Sequence, residues 1–252
     1  MNTKIKSFLY YLTTEKGSSK NTTDAYKNDL SGFINFLENN EKIDHSEQES
    51  LKNINKQSIE NYVKWLNSRE YSRSTIARKI AALKSFVNFL VEIGDLTKSP
   101  TLDIESPKTI KSLPKPLLAK EVDAILSAAK NNSSIEGFRD SAMLSLMYWT
   151  GLRVSELIAL NIDNLYISES EPYLRCYGKG DRERTIPIPD QALDNLKYYL
   201  REVRHNFVSN SGELGVFVNM RGERLTRQGY WLILKAYVKK AGITSNVTPH
   251  TL

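Results

Sequence analysis

A proline-bearing segment with few apolar side chains divides the sequence into two parts. It spans residues 95–116, and its prolines are Pro100, Pro107, Pro114 and Pro116. Because proline fixes φ and lacks a backbone N–H, such a segment interrupts helices and strands and is typical of a linker. We therefore expect two domains, residues 1–99 and 117–252, joined by a linker at residues 100–116. With 252 residues, 40% of them hydrophobic, the chain can bury a core in each domain.

Helical spacing of apolar side chains dominates the first domain, where we expect no strand. The predicted helices lie near residues 5–12, 22–37, 59–66 and 76–90. In the second domain helices are predicted at 118–129, 138–149, 154–160, from 190 onward and at 227–241. Short strands are predicted at 165–167, 173–177, 182–189 and 216–218. The expected fold is mainly α with a small β-ribbon, in the α+β class.

Charge and composition narrow the classes of function. The formal net charge of +6 indicates a polyanionic partner. A single cysteine, Cys176, excludes an internal disulfide framework and indicates a reducing compartment. No stretch has the length of a membrane span or the pattern of a signal peptide, so we expect a cytoplasmic protein. The histidines are scattered and no phosphate-binding glycine loop is present, so we expect no metal and no cofactor.

The stretch 150–157, with the sequence TGLRVSEL, places an arginine between two predicted helices. Gly151 is expected to end the first helix, and Arg153 to lie near the N-terminus of the second. The helix macrodipole disfavours a cation there, so Arg153 requires an anionic partner. Glu156, one turn on, and Asp140 are internal candidates; a bound anion is the alternative.

Three other polar stretches could contact the polyanionic partner that the net charge indicates. Two helix starts combine hydroxyl or amide side chains with cations and free backbone N–H groups, at Lys20, Asn21 and Thr22 and at Arg73, Ser74, Thr75 and Arg78. The alternative is that Thr22 and Ser74 are ordinary N-caps beside solvated charges. At the third, Thr226 is expected to cap a helix whose first residues, Arg227 and Gln228, either contact base edges or form a solvated first turn.

A glycine turn and the end of the chain complete the candidates. In residues 178–181 two glycines place Lys179 at the tip of a hairpin, where a lysine is commonly just a solvated charge. Thr248 and Pro249 are typical of a helix start, with His250 immediately after them.

These stretches together resemble the tyrosine recombinases, in their Xer branch. The resemblance rests on TGLRVSEL at 150–157, GKGDRERTIPI at 178–188 and PHTL at 249–252, in that order. The helical first domain, including STIARKIAALKSF at 74–86, resembles the family's core-binding domain. Arg182 stands where the family usually has a second hairpin lysine, which keeps the charge.

The resemblance implies roles for individual residues in a two-domain DNA clamp. Arg153 would bind a non-bridging oxygen of the scissile phosphate, and Glu156 would support the local fold. Lys179 would protonate the departing 5′ oxygen, and His250 would act as a general acid or base. The implied DNA contacts are Lys20, Asn21, Thr22, Arg73, Ser74, Thr75, Arg78, Arg182, Arg184, Arg227 and Gln228.

The implied function is site-specific DNA recombination through a 3′-phosphotyrosyl intermediate. We expect Xer-type resolution of chromosome or plasmid dimers, linked to chromosome partition and cell division. The active form would be a homo- or hetero-tetramer with a second recombinase on double-stranded DNA. The alternatives are a non-catalytic DNA-binding protein on the same scaffold, a mobile-element integrase and, third, a type IB topoisomerase.

In the family a second arginine, a later histidine or tryptophan and the nucleophilic tyrosine follow the PHTL motif. None of them follows it in the 252 residues given. The resemblance therefore predicts that the chain as written forms no covalent adduct with DNA. A covalent adduct trapped on a nicked substrate would refute this expectation. Reading the source DNA beyond the codon for Leu252 shows whether an arginine and a tyrosine follow.

Overall fold

The computed structural model describes residues 2–40, 53–107, 116–178, 182–208, 212–249 and 251–252. The chain divides into two compact units, Met1–Ser112 and Leu113–Leu252. Each unit has its own buried apolar core. Helices predominate, and one three-stranded antiparallel sheet lies in the second unit. The α+β class predicted from the sequence is confirmed.

Helices form the first unit, and its described residues contain no strand. They are α1 (Asn2–Thr14), α2 (Lys20–Asn40), α3 (Lys56–Ser68) and α4 (Arg73–Glu92). Their inward faces bury large aromatic side chains, and Phe8 packs edge-on against Phe86 with ring centroids 5.4 Å apart. Thr101 and Ile104, in the predicted linker, are also buried, Ile104 within this core. Residues 108–115 lie outside the described part of the chain.

The hydroxyl groups that cap α2 and α4 are not those of Thr22 and Ser74, which the alternative interpretation named as N-caps. Ser19 Oγ accepts the backbone N–H of Thr22 at 3.3 Å, and Ser72 Oγ accepts that of Thr75 at 3.2 Å. Thr22 and Ser74 therefore lie inside the first turns, and the interpretation of them as N-caps was wrong. Each helix start has several adjacent hydroxyl residues that could serve as the N-cap. The residue that does so has an extended backbone, as at Ser72.

The second unit begins with three helices, α5 (Ala119–Lys130), α6 (Ile135–Thr150) and α7 (Val154–Ala159). The sheet follows with β1 (Leu165–Tyr166), β2 (Tyr173–Tyr177) and β3 (Glu183–Pro187) in that spatial order. Helix α8 (Asp190–Tyr198) continues into a wider turn at Tyr199–Val203, and α9 (Arg227–Lys240) is the last described helix. Cys176 is buried on the inner face of β2, as predicted for a strand residue.

The strand predicted at 216–218 is not formed. Val216, Phe217 and Val218 are buried, but the backbone makes only two isolated bridges, between Asn161 and Gly215 and between Val218 and Arg224. These bridges join the segment to two different partners, so no continuous ladder forms along it. Across the described residues, no helix has the length and apolar character needed to cross a membrane.

Candidate active site and DNA interface

Gly151 fixes where the candidate catalytic arginine lies. It ends α6 with a φ of +62°, and its N–H donates to the Met147 carbonyl oxygen at 3.0 Å. A residue without Cβ adopts this left-handed conformation readily. Two residues later Arg153 has extended backbone angles and precedes the first turn of α7. The predicted end of one helix and start of the next are both confirmed.

Glu156 is the internal partner of Arg153. Its Oε2 accepts the backbone N–H of Arg153 at 2.8 Å, and its Oε1 accepts the Nη1 group of the same arginine at 3.0 Å. The Glu156 side chain is 4% exposed, whereas that of Arg153 is 62% exposed. The guanidinium is therefore held at one nitrogen, on a side chain that is mostly exposed. Asp140, the other candidate, instead pairs with Arg139 at 2.7 Å.

A second arginine reaches the same carboxylate from the sheet. Arg184 Nη2 donates to Glu156 Oε2 at 2.7 Å, and Arg184 Nε donates to Cys176 Sγ at 3.2 Å. The hydrogen bond to Cys176 raises the pKa of Arg184 above its ordinary value. Two permanent positive charges thus surround one buried negative charge. The sequence alone indicated the local pair with Glu156, but not this contact across 28 residues.

The hairpin that would carry the general acid begins beside Glu156. Strands β2 and β3 pair Cys176 with Arg184 and Tyr177 with Glu183, and the N–H of Gly178 donates to the Arg182 carbonyl oxygen at 2.9 Å. Arg182 is exposed. Lys179 and His250, the predicted proton donor and general acid or base, lie outside the described residues.

In the first unit a buried carboxylate again holds two cations. Asp29 on α2 forms an ion pair with Arg78 and another with Lys79, the second at 3.1 Å. Its side chain is 2% exposed, and that of Arg78 is 47% exposed. We did not predict Asp29, although a signal existed. It falls at helical spacing with the apolar Tyr26, Leu30 and Phe33, which puts a carboxylate on the core-facing side of α2.

The other predicted DNA contacts in the first unit lie at helix starts. Lys20, Asn21, Arg73 and Ser74 are exposed, and Thr22 and Thr75 are half-buried. The two threonine hydroxyls are already within hydrogen-bonding distance of Ser19 and Ser72, at 2.9 and 2.8 Å. The cations and the first-turn backbone are therefore better placed than the threonine hydroxyls to meet a phosphate.

The exposed face of α9 carries cations and no acid. Thr226 Oγ1 accepts the N–H of Gly229 at 3.0 Å, which confirms the predicted cap. Arg227 and Gln228 are exposed, and Trp231, one turn further, is 39% exposed beneath the Nζ of Lys235 at 4.1 Å from its ring. The helix sequence RQGYWLILKAYVKK contains no Asp or Glu. The described residues include no group of His, Cys, Asp and Glu that could hold a metal ion.

Comparison with known proteins identifies the chain. It matches the Phage integrase family over residues 115–252 and the Phage integrase, N-terminal SAM-like domain over residues 5–94. The chain belongs to the phage integrase family. As a member of this family, the tyrosine recombinases, it is an enzyme of site-specific DNA recombination, which breaks and rejoins DNA strands.

The tyrosine recombinase has close Xer relatives. It is 40% identical to tyrosine recombinase XerC of Herpetosiphon aurantiacus, over 100% of this chain and 79% of that protein. It is 38% identical to tyrosine recombinase XerD of Oceanobacillus iheyensis, over 98% of this chain and 81% of that protein. The Xer resemblance stated from the motifs is therefore confirmed.

Solved structures show the same fold. A lambda integrase dimer bound to a COC′ core site matches with a TM-score of 0.71 at 16% identity, covering 100% of the recombinase and 86% of that chain. XerH bound to difH substrate before cleavage matches with a TM-score of 0.69 at 18% identity, covering 91% of the recombinase and 66% of that chain. These similarities support the two-domain recombinase fold.

Proposed function

We propose that this recombinase acts as an Xer-type resolvase of chromosome or plasmid dimers, with Arg153 binding the scissile phosphate. One observation carries the role of Arg153: a buried carboxylate fixes one edge of its guanidinium while the side chain is mostly exposed. A planar guanidinium held in this way can form two parallel hydrogen bonds to a phosphate. Relatives named XerC and XerD, at 40% and 38% identity, support the Xer assignment.

The charge of the Arg153 site suits an anion that gains charge during reaction. Glu156 neutralises one of the two arginines that contact it, which leaves one net positive charge at the surface. Donors that are already in place stabilise a pentavalent phosphate without reorganising during the reaction. By the family resemblance, Lys179 donates a proton to the 5′ oxygen and His250 assists proton transfer.

Outside this site, the proposed DNA contacts lie at exposed cationic residues of both units. We propose that Arg227 and Gln228 contact base edges, because these side chain types pair with guanine and adenine. We propose phosphate contacts for the helix starts at Lys20, Asn21 and Thr22, for those at Arg73, Ser74, Thr75 and Arg78, and for Arg182. The corresponding domains would be a core-binding domain at 1–99, a linker at 100–116 and a catalytic domain at 117–252.

The assembly is also a proposal. Lambda integrase has been solved as a dimer on a core site and as a tetramer on a Holliday junction. We propose that the recombinase likewise forms a tetramer on double-stranded DNA in the cytoplasm, with copies of itself or with a second recombinase. Deletion between two selected sites by the recombinase alone, and with each candidate partner added, distinguishes the two compositions.

The test of Arg153 combines a variant with a modified substrate. The target site is first selected from random duplexes, and the scissile phosphate is then replaced by an uncharged methylphosphonate. If Arg153 binds this phosphate, Arg153→Gln and the methylphosphonate each weaken binding, but together they weaken it less than the sum of the two effects. Additive losses would place Arg153 away from the phosphate.

The reaction itself is tested on a plasmid that carries two copies of the selected site. The recombinase expressed from its own gene should delete the intervening DNA, and Arg153→Gln should not. Binding of the site without deletion or covalent adduct would favour the non-catalytic alternative. Relaxation of supercoils without deletion would favour a topoisomerase.

A further inference from the structure

We infer that Arg184 is a positioning residue that ties the lysine-bearing hairpin to the Arg153 site through Glu156. This inference rests on the proposed function, and it changes the role expected for Arg184 from the family resemblance, a direct contact with DNA. The observation behind it is one side chain that joins three parts of the unit: strand β2, strand β3 and the N-terminus of α7.

The Arg184 guanidinium forks between the hairpin and the helix. Its Nε donates within the hairpin, to Cys176 Sγ at 3.2 Å on the paired position of β2. Its Nη2 donates out of the hairpin, to Glu156 Oε2 at 2.7 Å. A planar group with donors in fixed directions transmits orientation from one partner to the other. Arg184 therefore sets the angle of the hairpin relative to Glu156, which also holds Arg153.

The sequence of the turn next to this bridge supplies little restraint of its own. Glycines flank the lysine, at Gly178 and Gly180, and glycine restricts backbone dihedrals least of all residues. Only one residue pair, Tyr177 with Glu183, lies between the turn and the bridge at Cys176 and Arg184. A Cβ built on Gly178 would lie 3.9 Å from Glu156 Oε1, so the turn starts beside the carboxylate. Among the described residues of β2 and β3, Arg184 thus joins the hairpin to α7 within five positions of Lys179 in the sequence.

Charge gives Arg184 a second effect on Arg153. Glu156 paired with Arg153 alone would cancel the charge that attracts the phosphate. With Arg184 also bound, the three side chains carry one net positive charge, and Glu156, 4% exposed, keeps both oxygens satisfied. Substitutions at Arg184 can therefore separate the effect of charge from the effect of geometry.

The expected chemistry identifies which residue Arg184 positions. In the family's reaction a tyrosine oxygen adds to phosphorus and its proton passes to a base. The bond from phosphorus to the 5′ oxygen breaks, and that oxygen takes a proton from Lys179. A sulfur atom in place of the 5′ oxygen leaves as a thiolate and needs no proton. A variant that misplaces Lys179 should therefore be defective with oxygen and recover with sulfur.

The first experiment measures single-turnover cleavage by the recombinase expressed from its own gene, on oxygen- and sulfur-containing substrates. Arg184→Met should slow cleavage of the oxygen substrate on the order of 10²-fold, the lower range for general acid catalysis. With the sulfur substrate the defect should shrink to a few-fold, as for Lys179→Ala. Arg184→Lys, which keeps the charge but not the fork, should bind DNA like the wild type and still show recovery with sulfur.

Two control variants separate positioning from DNA contact. Arg201→Met removes an exposed arginine beyond α8 and should change neither substrate's rate. Arg182→Met, next to the turn, should weaken DNA binding and lower the salt dependence by about one unit of slope, with no recovery by sulfur. If Arg184→Met gives this second pattern, Arg184 is a DNA contact and the inference is wrong.

A second measurement needs no cleavage. Hydrogen exchange of the free protein, followed for peptides that cover residues 173–187, should quicken in Arg184→Met and stay unchanged in Arg201→Met. Unchanged exchange in Arg184→Met would overturn the inference. If the wild type itself fails to cleave, the proposed function fails, and hydrogen exchange still decides whether Arg184 holds the hairpin.

Discussion

Two buried carboxylates hold three exposed arginines of this recombinase. Glu156 holds Arg153 and Arg184, and Asp29 holds Arg78 and Lys79. In both cases the acid is almost inaccessible to solvent, while at least one of its arginines is about half-exposed or more. Long cationic side chains lose conformational entropy when they bind a ligand, and a buried partner removes part of that freedom beforehand.

The first prediction concerns Glu156→Gln. An amide of the same shape still accepts the N–H of Arg153 but carries no charge, so we expect a loss of about 1.5–3 kcal/mol in the free energy of unfolding, the range for hydrogen bonds to charged groups. Urea denaturation measures it. Glu169→Gln, at an exposed glutamate, is the matched control and should change the value by less than about 0.5 kcal/mol. Equal effects of the two substitutions would contradict the proposed role of Glu156.

Asp29→Asn tests the carboxylate in the first unit. It raises the net charge by one, which by itself favours DNA binding, but it releases Arg78 and Lys79. We expect DNA binding to weaken by roughly 3- to 10-fold, because the Arg78 side chain would no longer be held in place before it contacts a phosphate. Asp24→Asn adds the same charge on the exposed face of α2 and should bind DNA as well as the wild type or better. Tighter binding by Asp29→Asn would show that the orientation of Arg78 is unimportant.

At the scale of elements, the backbone conformation of the junction between α6 and α7 determines where the Arg153 side chain begins. Gly151 turns the chain in the left-handed region, and Arg153 follows at the start of the next helix. A Cβ at Gly151 would meet no atom within 4 Å, so only backbone strain opposes a substitution there. A substitution at Gly151 therefore measures backbone strain without any steric clash.

Gly151→Ala should lower the free energy of unfolding by about 1–2 kcal/mol, the strain of a left-handed residue with a Cβ. Gly32→Ala is a control that should change the free energy of unfolding in the opposite direction. Gly32 lies within α2 and its added Cβ would have ordinary contacts at 3.5 Å or more, so we expect a gain of about 0.5–1 kcal/mol. Thermal unfolding of both variants measures the difference. A neutral Gly151→Ala would mean that α6 can end in another way.

At the scale of the whole molecule, two units each have a core and each present cations at the surface. Formal net charge is only +6 because acids and bases are nearly balanced. The relevant property is their distribution: α9 has no acid, and the acids beside Arg153 and Arg78 are buried. Local positive potential thus exceeds what the net charge indicates.

We expect DNA affinity to fall steeply as salt rises. The logarithm of the binding constant should decrease linearly with the logarithm of salt concentration, with a slope of about −0.9 for each phosphate neutralised. Contacts from both units should give a slope of roughly −5 or steeper, measured by fluorescence anisotropy between 50 and 200 mM salt. A nearly flat dependence would mean that phosphate contacts do not dominate binding.

The sequence by itself determined the elements, their order and the motifs. Apolar spacing, Gly151 and the Thr226 cap are local signals, because helix and turn geometry depends on residues a few positions apart. The same locality explains why Glu156 could be named as the partner of Arg153, only three residues away. The prediction of a strand at 216–218 failed because strand pairing requires a second segment in register, which local spacing does not specify.

Only the tertiary structure decided which distant charges meet. Arg184 reaches Glu156 across 28 residues and Arg78 reaches Asp29 across 49. Such pairs depend on how the faces of helices and strands pack, and nothing within a few positions of either residue specifies that packing. The residue types in this recombinase's motifs were therefore evident from the sequence. Within each unit, which cations lie together follows from a carboxylate that is buried against the core of that unit.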